Sequence, residues 1–391
     1  MADAPMITLP LRRLGRLALD PGLRAFQPIS DGSGLVVTAM VAAADSPANR
    51  SHEWDVAWAD AAREASRLGA DPATAGVLAG GAGDAVTADT RVVVAARGQV
   101  LLARWLAPGS PGSVRVGPLP HLPEVASAAA RRPAYVVVRA DRYDADVIAH
   151  SAGDQQPAER FDASARPGAQ RDPHPGRPPA QSHGERHVTD SEPESGGQRN
   201  AEFIAGRVEQ AADRVGAHIV LGTGDRHILE AVGSHLPGTI GPVTVIGDTR
   251  TPDDLGARTG AALDEITAAA AVAVADLVAA RAEDPDPGAV RGVEAVAQAL
   301  AEQQVAVLLL AADAARDADP TANYRIGSRA TEFLAGDPGG VTGIGGVPVP
   351  LEDGLVWAAL NQDAIVLRRP DRTGPLAGRP AAALLRRGAA S

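Results

Sequence analysis

The sequence predicts an α/β protein of three domains. Apolar side chains make up 45% of its 391 residues, which is enough to build more than one hydrophobic core. Apolar runs typical of strands alternate with amphipathic helices, and this alternation is typical of α/β layers. Proline-rich breakers at 118–123 and 283–288 divide the chain. We therefore expect domains over 1–125, 131–282 and 289–391.

The first domain is expected to be α+β. A strand-like run at Gly34–Thr38 is followed by a segment with apolar residues at helical spacing, His52–Leu68. Two more strands are expected at Arg91–Ala95 and Val100–Trp105. The prolines of the first breaker then close the domain, because proline continues neither a helix nor a central strand.

The middle domain is expected to begin with a strand hairpin and to continue with alternating helices and strands. The hairpin runs from Arg131 to Ile148, and a polar segment over 151–199 separates it from the rest. The later elements are a helix at Asn200–Val215, a strand at His218–Leu221, a helix at Arg226–Val232, a strand at Val243–Ile246 and a helix at Leu255–Arg281.

The third domain is expected to be a small α/β/α sandwich. A helix at Val290–Gln303 precedes the buried strand Val305–Leu310. After a glycine-rich connection at 336–346, a short helix at Gly354–Leu360 leads into the strand Ala364–Leu367. Residues 368–391 carry six arginines and one acid, so we expect a basic tail that is either solvated or in contact with a phosphate backbone.

Composition excludes several classes of function. The chain has no cysteine, which excludes disulfides, thiolate metal sites and cysteine nucleophiles. All 37 basic residues are arginine and the net charge is −11, so the protein is not a generally basic nucleic-acid binder. No secretory signal is visible, and acidic residues interrupt the longest apolar run, 261–280. We expect a cytoplasmic protein that binds no membrane.

We expect the polar segment over 151–199 to carry the function, because loops of this length in a compact domain are usually functional or disordered. Its histidines, His174, His183 and His187, lack a third positioned ligand, so a polar loop is favoured over a metal site. Shortening 155–195 is expected to leave folding intact, because the segment has little apolar surface to bury.

Three short motifs each allow a chemical and a structural interpretation. Gly196-Gly197-Gln198 can order a water near an ester or can occur by chance in a glycine-rich chain. The turn over 222–225 can hold a phosphate, although Asp225 as a simple helix N-cap explains it better. Asp141, Asp144 and Asp146 can bind magnesium or belong to an ordinary polar turn. We expect no metal and no cofactor.

The order of these elements resembles one family. The hairpin, the polar segment, the helix at Asn200–Val215 leading into His218–Thr223, and the run Val305–Leu310 resemble the bacterial relatives of the archaeal and eukaryotic class-I peptide chain release factor and Pelota. That group includes the Balon type of ribosome hibernation factor. The resemblance covers most of the chain in element order and is strongest over 125–310.

The resemblance implies a divergent N-terminal domain, a ribonuclease-H-like middle domain and an α/β/α L7Ae-like C-terminal domain. It also implies binding in the ribosomal A site and, for Balon-like members, contact with an elongation factor of the Tu type. In release factors the Gly-Gly-Gln motif lies at a loop tip. Here Gly196, Gly197 and Gln198 directly precede the helix, which places peptide release in doubt.

The leading hypothesis is a monomeric, non-enzymatic translation factor that binds ribosomal RNA in hibernation, stress or rescue. Its expected RNA contacts are arginines of the polar segment and the third domain: Arg160, Arg166, Arg171, Arg177, Arg368 and Arg369. The first alternative is a peptidyl-tRNA hydrolase with Gln198 as its catalytic candidate. The second is a stress-associated α/β protein that does not bind ribosomes.

Overall fold

The computed structural model describes residues 10–27, 35–42, 50–82, 90–106, 112–141, 145–153, 158–162, 193–247, 251–284, 288–312, 324–326, 333–335, 346–370 and 373–386. Its contacts divide the chain into two compact units. The outer unit comprises Met1–Pro133, Ala152–Gln155 and Leu263–Ser391, and the middle unit comprises Ala134–Ser151 and Gln156–Ala262.

The outer unit contains a four-stranded antiparallel sheet in its N-terminal part. Its strands are β1 (Val36–Ala42), β2 (Thr90–Ala96), β3 (Gln99–Leu106) and β4 (Ser113–Gly117), in the order β3-β2-β1-β4. Helices α1 (Arg50–Arg67) and α2 (Pro72–Ala82) supply one apolar cluster, in which Trp54 and Trp58 pack against Val37 and Val93. A single helical turn at Pro21–Arg24 precedes β1.

Helix α3 (Pro123–Ala130) begins at a proline that the sequence predicts as a domain end. Proline is tolerated at the first helical position because the missing N–H has no intrahelical partner there. The residues Val125, Ala126, Ala128 and Ala129 are buried in the largest apolar cluster of the outer unit. The breaker therefore starts a core helix rather than a linker.

A second four-stranded sheet forms the C-terminal part of the outer unit. Its strands are β10 (Ala289–Arg291), β11 (Val305–Ala311), β15 (Ile365–Arg369) and β16 (Ala381–Leu385), in the order β10-β16-β11-β15. β11 and β15 are parallel, whereas β16 is antiparallel to both of its neighbours. A smaller sheet consists of β12 (Tyr324–Ile326), β13 (Phe333–Ala335) and β14 (Val347–Pro348).

Helices cover both faces of this second sheet. Val307 and Leu309 of β11 share a cluster with Val274 and Val278 of α6 (Pro252–Arg281). The alternate residues of β11 share the larger cluster with helices α7 (Val293–Ala301) and α8 (Leu351–Leu360). The strand period of two thus places apolar side chains on both faces of the sheet.

The larger cluster also contains residues of the first sheet. Val36, Val92 and Leu102 belong to the same cluster as Leu308 and Ala383. The N-terminal and C-terminal parts therefore share one core, although the breakers indicate separate domains. The boundaries of the three-domain layout remain a prediction.

Two expectations for the third domain are wrong in detail. The segment predicted as one helix over Val290–Gln303 begins as β10, and Gly292 then turns the chain with φ of 90° before α7. The expected basic tail is largely folded, because the buried run Ala381–Leu385 inserts as β16 between β10 and β11. An apolar run of this kind is more stable in the sheet than in water.

The middle unit is built around a five-stranded mixed sheet. Its strands are β5 (Tyr135–Ala140), β6 (Ala145–His150), β7 (Glu159–Asp162), β8 (Ile219–Gly224) and β9 (Val243–Val245), in the order β7-β6-β5-β8-β9. The first three strands are antiparallel to one another, whereas β5, β8 and β9 are parallel. The predicted hairpin is thus confirmed, and β7 extends it inside the segment that was expected to be a loop.

Helices α4 (Pro193–Val215) and α5 (Arg226–His235) pack on this sheet. α4 begins seven residues before the predicted Asn200, with a proline at its first position. α6 starts in the middle unit, and its residues from Leu263 onward belong to the outer unit. Within the described ranges, no helix is both long enough and apolar enough to cross a membrane.

Candidate nucleic-acid interface

Helix α4 has a buried face that fixes its orientation on the sheet. The buried residues recur at intervals of three and four, as one face of a helix requires: Ala201, Ile204, Ala205, Val208, Ala211 and Ala212. They share a cluster with Val136 and Val147 of the sheet. The remaining surface of α4 is therefore held in a fixed orientation toward solvent.

A line of side chains on this solvent-facing surface combines arginine with an aromatic ring. We call Phe203, Arg207, Gln210 and Arg214 the arginine strip. Their spacing of four, three and four residues places them on one side of the helix. The Arg207 guanidinium lies 5.3 Å from the ring centre of Phe203, and its Nη1 donates to Gln210 Oε1 at 3.1 Å. Phe203 is 44% exposed, which is unusual for its side chain.

The arginine strip continues onto the edge strand β7. Arg214 Nη1 donates to both carboxylate oxygens of Glu159, at 2.8 and 2.9 Å, and its guanidinium lies 5.3 Å from the ring centre of Phe161. The next residue, Arg160, is 62% exposed and pairs with Asp146 across 3.4 Å. The edge of the sheet and the helix thus form one surface that carries three arginines.

The acidic residues of α4 lie on a different side of the helix. Glu202, Glu209 and Asp213 are exposed, but their positions are rotated away from the arginine strip by about a quarter turn. The arginines and the acidic residues of α4 thus lie on different sides of the helix, although the chain as a whole is acidic. A surface with arginines placed in this way can contact phosphates even though the chain as a whole carries negative charge.

The chemistry of this surface suits RNA. An arginine that stacks on an aromatic ring keeps its N–H edges available for phosphate oxygens. An exposed phenylalanine offers a face on which an unpaired base can stack. Sequence reasoning identified Arg160 but missed Phe203, Arg207 and Arg214; the four-three-four spacing was the signal that could have revealed them.

The other predicted loop residues are distributed differently. Arg166, Arg171 and Arg177, with His174, His183 and His187, lie outside the described residues. Gly196, Gly197 and Gln198 do not lie in a loop, because helix α4 begins at Pro193 and includes them. The interpretation of this tripeptide as a loop motif is therefore wrong.

The expectation that 155–195 can be shortened without effect on folding also needs correction. Residues 159–162 of that segment form strand β7, which pairs along β6. Phe161 packs against the core of the middle unit, and Glu159 holds Arg214. Any shortening that removes β7 removes these contacts.

The turn after β8 is confirmed as a helix cap. The Asp225 carboxylate accepts the backbone N–H groups of His227 at 2.9 Å and of Ile228 at 3.3 Å, so it occupies the position that a phosphate would take. Gly224 has φ of 106°, and a β-carbon there would lie 2.0 Å from the carbonyl oxygen of Ala140. Position 224 therefore requires glycine, because strands β5 and β8 approach too closely there for a side chain.

The three aspartates that could bind magnesium or belong to a polar turn are only partly described. Asp144 lies outside the described residues, and Asp146 pairs with Arg160. In the part of the chain that the structure describes, no group of three or more histidine, aspartate or glutamate side chains is placed to hold a metal ion.

Arg368 belongs to a buried group of charges in the outer unit, which we call the ionic cluster: His121, Glu124, Glu352, Asp353 and Arg368. Arg368 Nη1 lies 2.6 Å from Glu124 Oε1, and its Nη2 lies 3.1 Å from Glu352 Oε1. His121 lies 2.6 Å from Asp353 through Nδ1 and 2.9 Å from Glu124 through Nε2. The Arg368 guanidinium is therefore engaged by carboxylates. Its neighbour Arg369 is half-buried in β15.

The ionic cluster shifts the pKa values of its members. Burial lowers the pKa of His121, but hydrogen bonds to Asp353 and Glu124 raise it to about 9. Burial raises the pKa of Glu124, but the hydrogen bond and charge of His121, with the charge of Arg368, lower it to about 2. Burial raises the pKa of Glu352 and outweighs the charge of Arg368. The histidine is thus protonated at neutral pH and holds its two carboxylates.

Comparison with protein families found a match to the middle of the chain. Residues 134–285 match the family described as bacterial archaeo-eukaryotic release factor family 2. This match confirms the resemblance that the sequence indicates. Comparison with curated protein sequences found no match.

Solved structures that match this chain include the following three. Pelota of Archaeoglobus fulgidus shares 13% identity over 77% of this chain and 80% of its own, with a TM-score of 0.33. Archaeal Pelota, in a ribosome-bound model with ABCE1, shares 12% over 96% and 97%, with a TM-score of 0.38. Dom34 of S. cerevisiae, described as a translation termination-like factor that interacts with Hbs1, shares 10% over 73% and 72%, with a TM-score of 0.36.

Proposed function

We propose that this chain, whose middle segment matches the bacterial archaeo-eukaryotic release factors, is a ribosome-binding translation factor. The observation that carries the proposal is the family match over 134–285, which includes the sheet and helices of the middle unit. The arginine strip supports it, because a stacked, exposed arginine–aromatic surface suits RNA phosphates and bases.

In this proposal the protein occupies the ribosomal A site in hibernation or rescue and performs no catalysis. The position of Gly196-Gly197-Gln198 supports the absence of catalysis, because a helix holds the tripeptide instead of an extended loop tip. An elongation factor of the Tu type is the proposed protein partner, by analogy with the Balon type. The protein then acts as a monomer in the cytoplasm, where ribosomes are found.

The arginine strip and Arg160 are the proposed RNA contacts in the described part of the chain. Arg207 is the most suitable of these contacts for substitution, because its described partners are only Phe203 and Gln210. Arg214 also holds Glu159, so its substitution changes the edge of the sheet as well as the surface. Arg368 is engaged in the ionic cluster and is not among the proposed contacts.

Co-sedimentation of the full chain with 70S ribosomes over a series of salt concentrations tests the proposal. Binding is expected to weaken steeply as salt increases, because each neutralised phosphate releases counterions. R207Q is expected to weaken binding and to reduce the slope of log affinity against log salt by about 0.7 to 0.9. Circular dichroism of the variant confirms that it is folded.

R226Q is the matched control, because Arg226 is an exposed arginine on α5 that pairs only with Glu230 in the described structure. It removes the same charge from a different surface of the middle unit. Equal losses of binding in R207Q and R226Q would reject the strip as the contact surface. No binding at low salt, with or without an elongation factor, would reject ribosome binding itself.

The second candidate function is hydrolysis of peptidyl-tRNA through Gln198. It predicts that Q198A abolishes peptide release from stalled ribosomal complexes while ribosome binding is retained. Release activity that is absent from the unmodified protein, or unchanged in Q198A, would remove this candidate.

A further inference from the structure

The outer unit contains a small cavity beside the edge strand β3. Its volume is about 90 Å³, and its apolar wall includes Leu17, Leu106 and Ala128. Three arginines, Arg16, Arg104 and Arg132, also line it. The cavity opens to solvent, so a small group can enter it while the rest of a ligand lies outside.

The three arginines are only partly neutralised by acids. Arg104 Nη2 donates to Asp20 at 2.6 Å. Arg132 lies 3.7 Å from Asp264, whose side chain is 62% exposed, so this pair is weak. Arg16 makes no ion pair or hydrogen bond with any residue in the described ranges. Each guanidinium carries five N–H donors, and among the described residues only Asp20 and Asp264 form ion pairs with these three groups.

The arginines are not needed to satisfy the end of helix α3, which lies against the same cavity. The carbonyl oxygen of Ala128 accepts the backbone N–H of Arg131, and that of Ala129 accepts the N–H of Arg132. The carbonyl oxygen of Ala130 accepts the N–H of Gly15 at 2.9 Å. Each of these carbonyls already accepts a backbone N–H group, so none depends on an arginine for a partner.

We infer that this cavity binds the terminal phosphate of a phosphate monoester. A phosphate carries a charge of about −1.5 to −2 and three acceptor oxygens at neutral pH, which matches a cluster of guanidinium forks. The volume accommodates the phosphate, and the rest of the ligand extends outside. Nucleotides and RNA with a 5′-phosphate share this chemistry. The inference does not depend on ribosome binding.

Isothermal titration calorimetry of the full chain tests the inference with inorganic phosphate, adenosine monophosphate and adenosine. Saturable binding is expected for inorganic phosphate and for adenosine monophosphate, and no binding is expected for adenosine. A short RNA with a 5′-phosphate, compared with the same RNA with a 5′-hydroxyl, then distinguishes an RNA end from a free nucleotide. Binding of neither phosphate would overturn the inference.

The variant R16Q is expected to weaken phosphate binding about tenfold or more, because it removes one charged hydrogen-bonding group. R12Q is the matched control, since Arg12 is an exposed arginine four residues away that does not line the cavity. Equal affinities of R16Q and R12Q would overturn the assignment of the site. R16Q is expected to retain its co-sedimentation with ribosomes, so failure of this inference and failure of the proposed function are distinguishable.

Discussion

Replacement of Glu124 by glutamine tests whether the ionic cluster stabilises the outer unit. Glutamine keeps the shape of the side chain but removes the charge that lies between His121 and Arg368. The fall in the pKa of Glu124 from its usual 4.5 to about 2 corresponds to about 3 kcal/mol. The side chain is 24% exposed, so we expect a loss of about 2 to 3 kcal/mol in the free energy of unfolding.

The stability is also expected to depend on pH in a defined direction. The lowered pKa of Glu124 gives stabilisation that is present above pH 4.5 and is lost as the pH falls toward about 2. The raised pKa of His121 gives stabilisation that is present below pH 6.5 and is lost as the pH rises through about 9. Glu124 and His121 together are therefore expected to make the unmodified protein most stable between about pH 4.5 and 6.5, whereas the raised pKa of Glu352 lowers stability as the pH rises above 4.5.

Urea unfolding followed by tryptophan fluorescence at pH 3, 5.5, 7.5 and 9 measures this effect, because Trp357 is fully buried in the adjoining core. D363N is the control: the Arg24–Asp363 pair also joins distant parts of the chain, but its side chains are 48% and 55% exposed. We expect a loss below about 1 kcal/mol for D363N. If E124Q lost no more than D363N, or kept the same decline below pH 4.5, the reasoning would be refuted.

Four further substitutions give expected outcomes in denaturant or thermal unfolding. E352Q is expected to retain stability at pH 8 or to increase it, because burial already raises the pKa of Glu352; a loss as large as that of E124Q would contradict this. G224A is expected to cost more than about 3 kcal/mol, since the new β-carbon meets the carbonyl of Ala140, and a stable variant would show that the strand can move. G206A, in the exposed interior of α4, is expected to gain about 1 kcal/mol, with no gain contradicting the helix assignment. D225A is expected to lose about 1 kcal/mol through its cap, and an unchanged melting temperature would speak against that cap.

Local patterns predicted most of the elements because their signals lie within a few residues. The strands at Tyr135–Ala140 and Val305–Ala311 are runs of branched apolar residues, and the Asp225 cap needs only its own turn. The start of α4 was missed because Pro193 and the glycines after it favour a loop in isolation. Packing of the following apolar face overrides that local preference.

The relations between distant residues could not be predicted from spacing. Glu124 and Arg368 are 244 positions apart, and no local pattern shows that they form one partly buried pair. For the same reason Arg368 resembled a free cation of a basic tail. The arginine strip is the opposite case. Its members are close in sequence, and their spacing of four, three and four residues is enough to place them on one side of a helix.

The position of β16 has a consequence for the order in which the protein is made. β16 lies between β10 and β11, so the second sheet of the outer unit is incomplete until residues 381–385 have left the ribosome. At about 5 to 20 residues per second, the N-terminal sheet waits many seconds for its partners. The middle unit needs no residue beyond Ala262, so it can finish folding during that interval. Side chains of the first sheet that belong to the larger cluster, such as Val36 and Val92, therefore remain without their C-terminal partners during that interval.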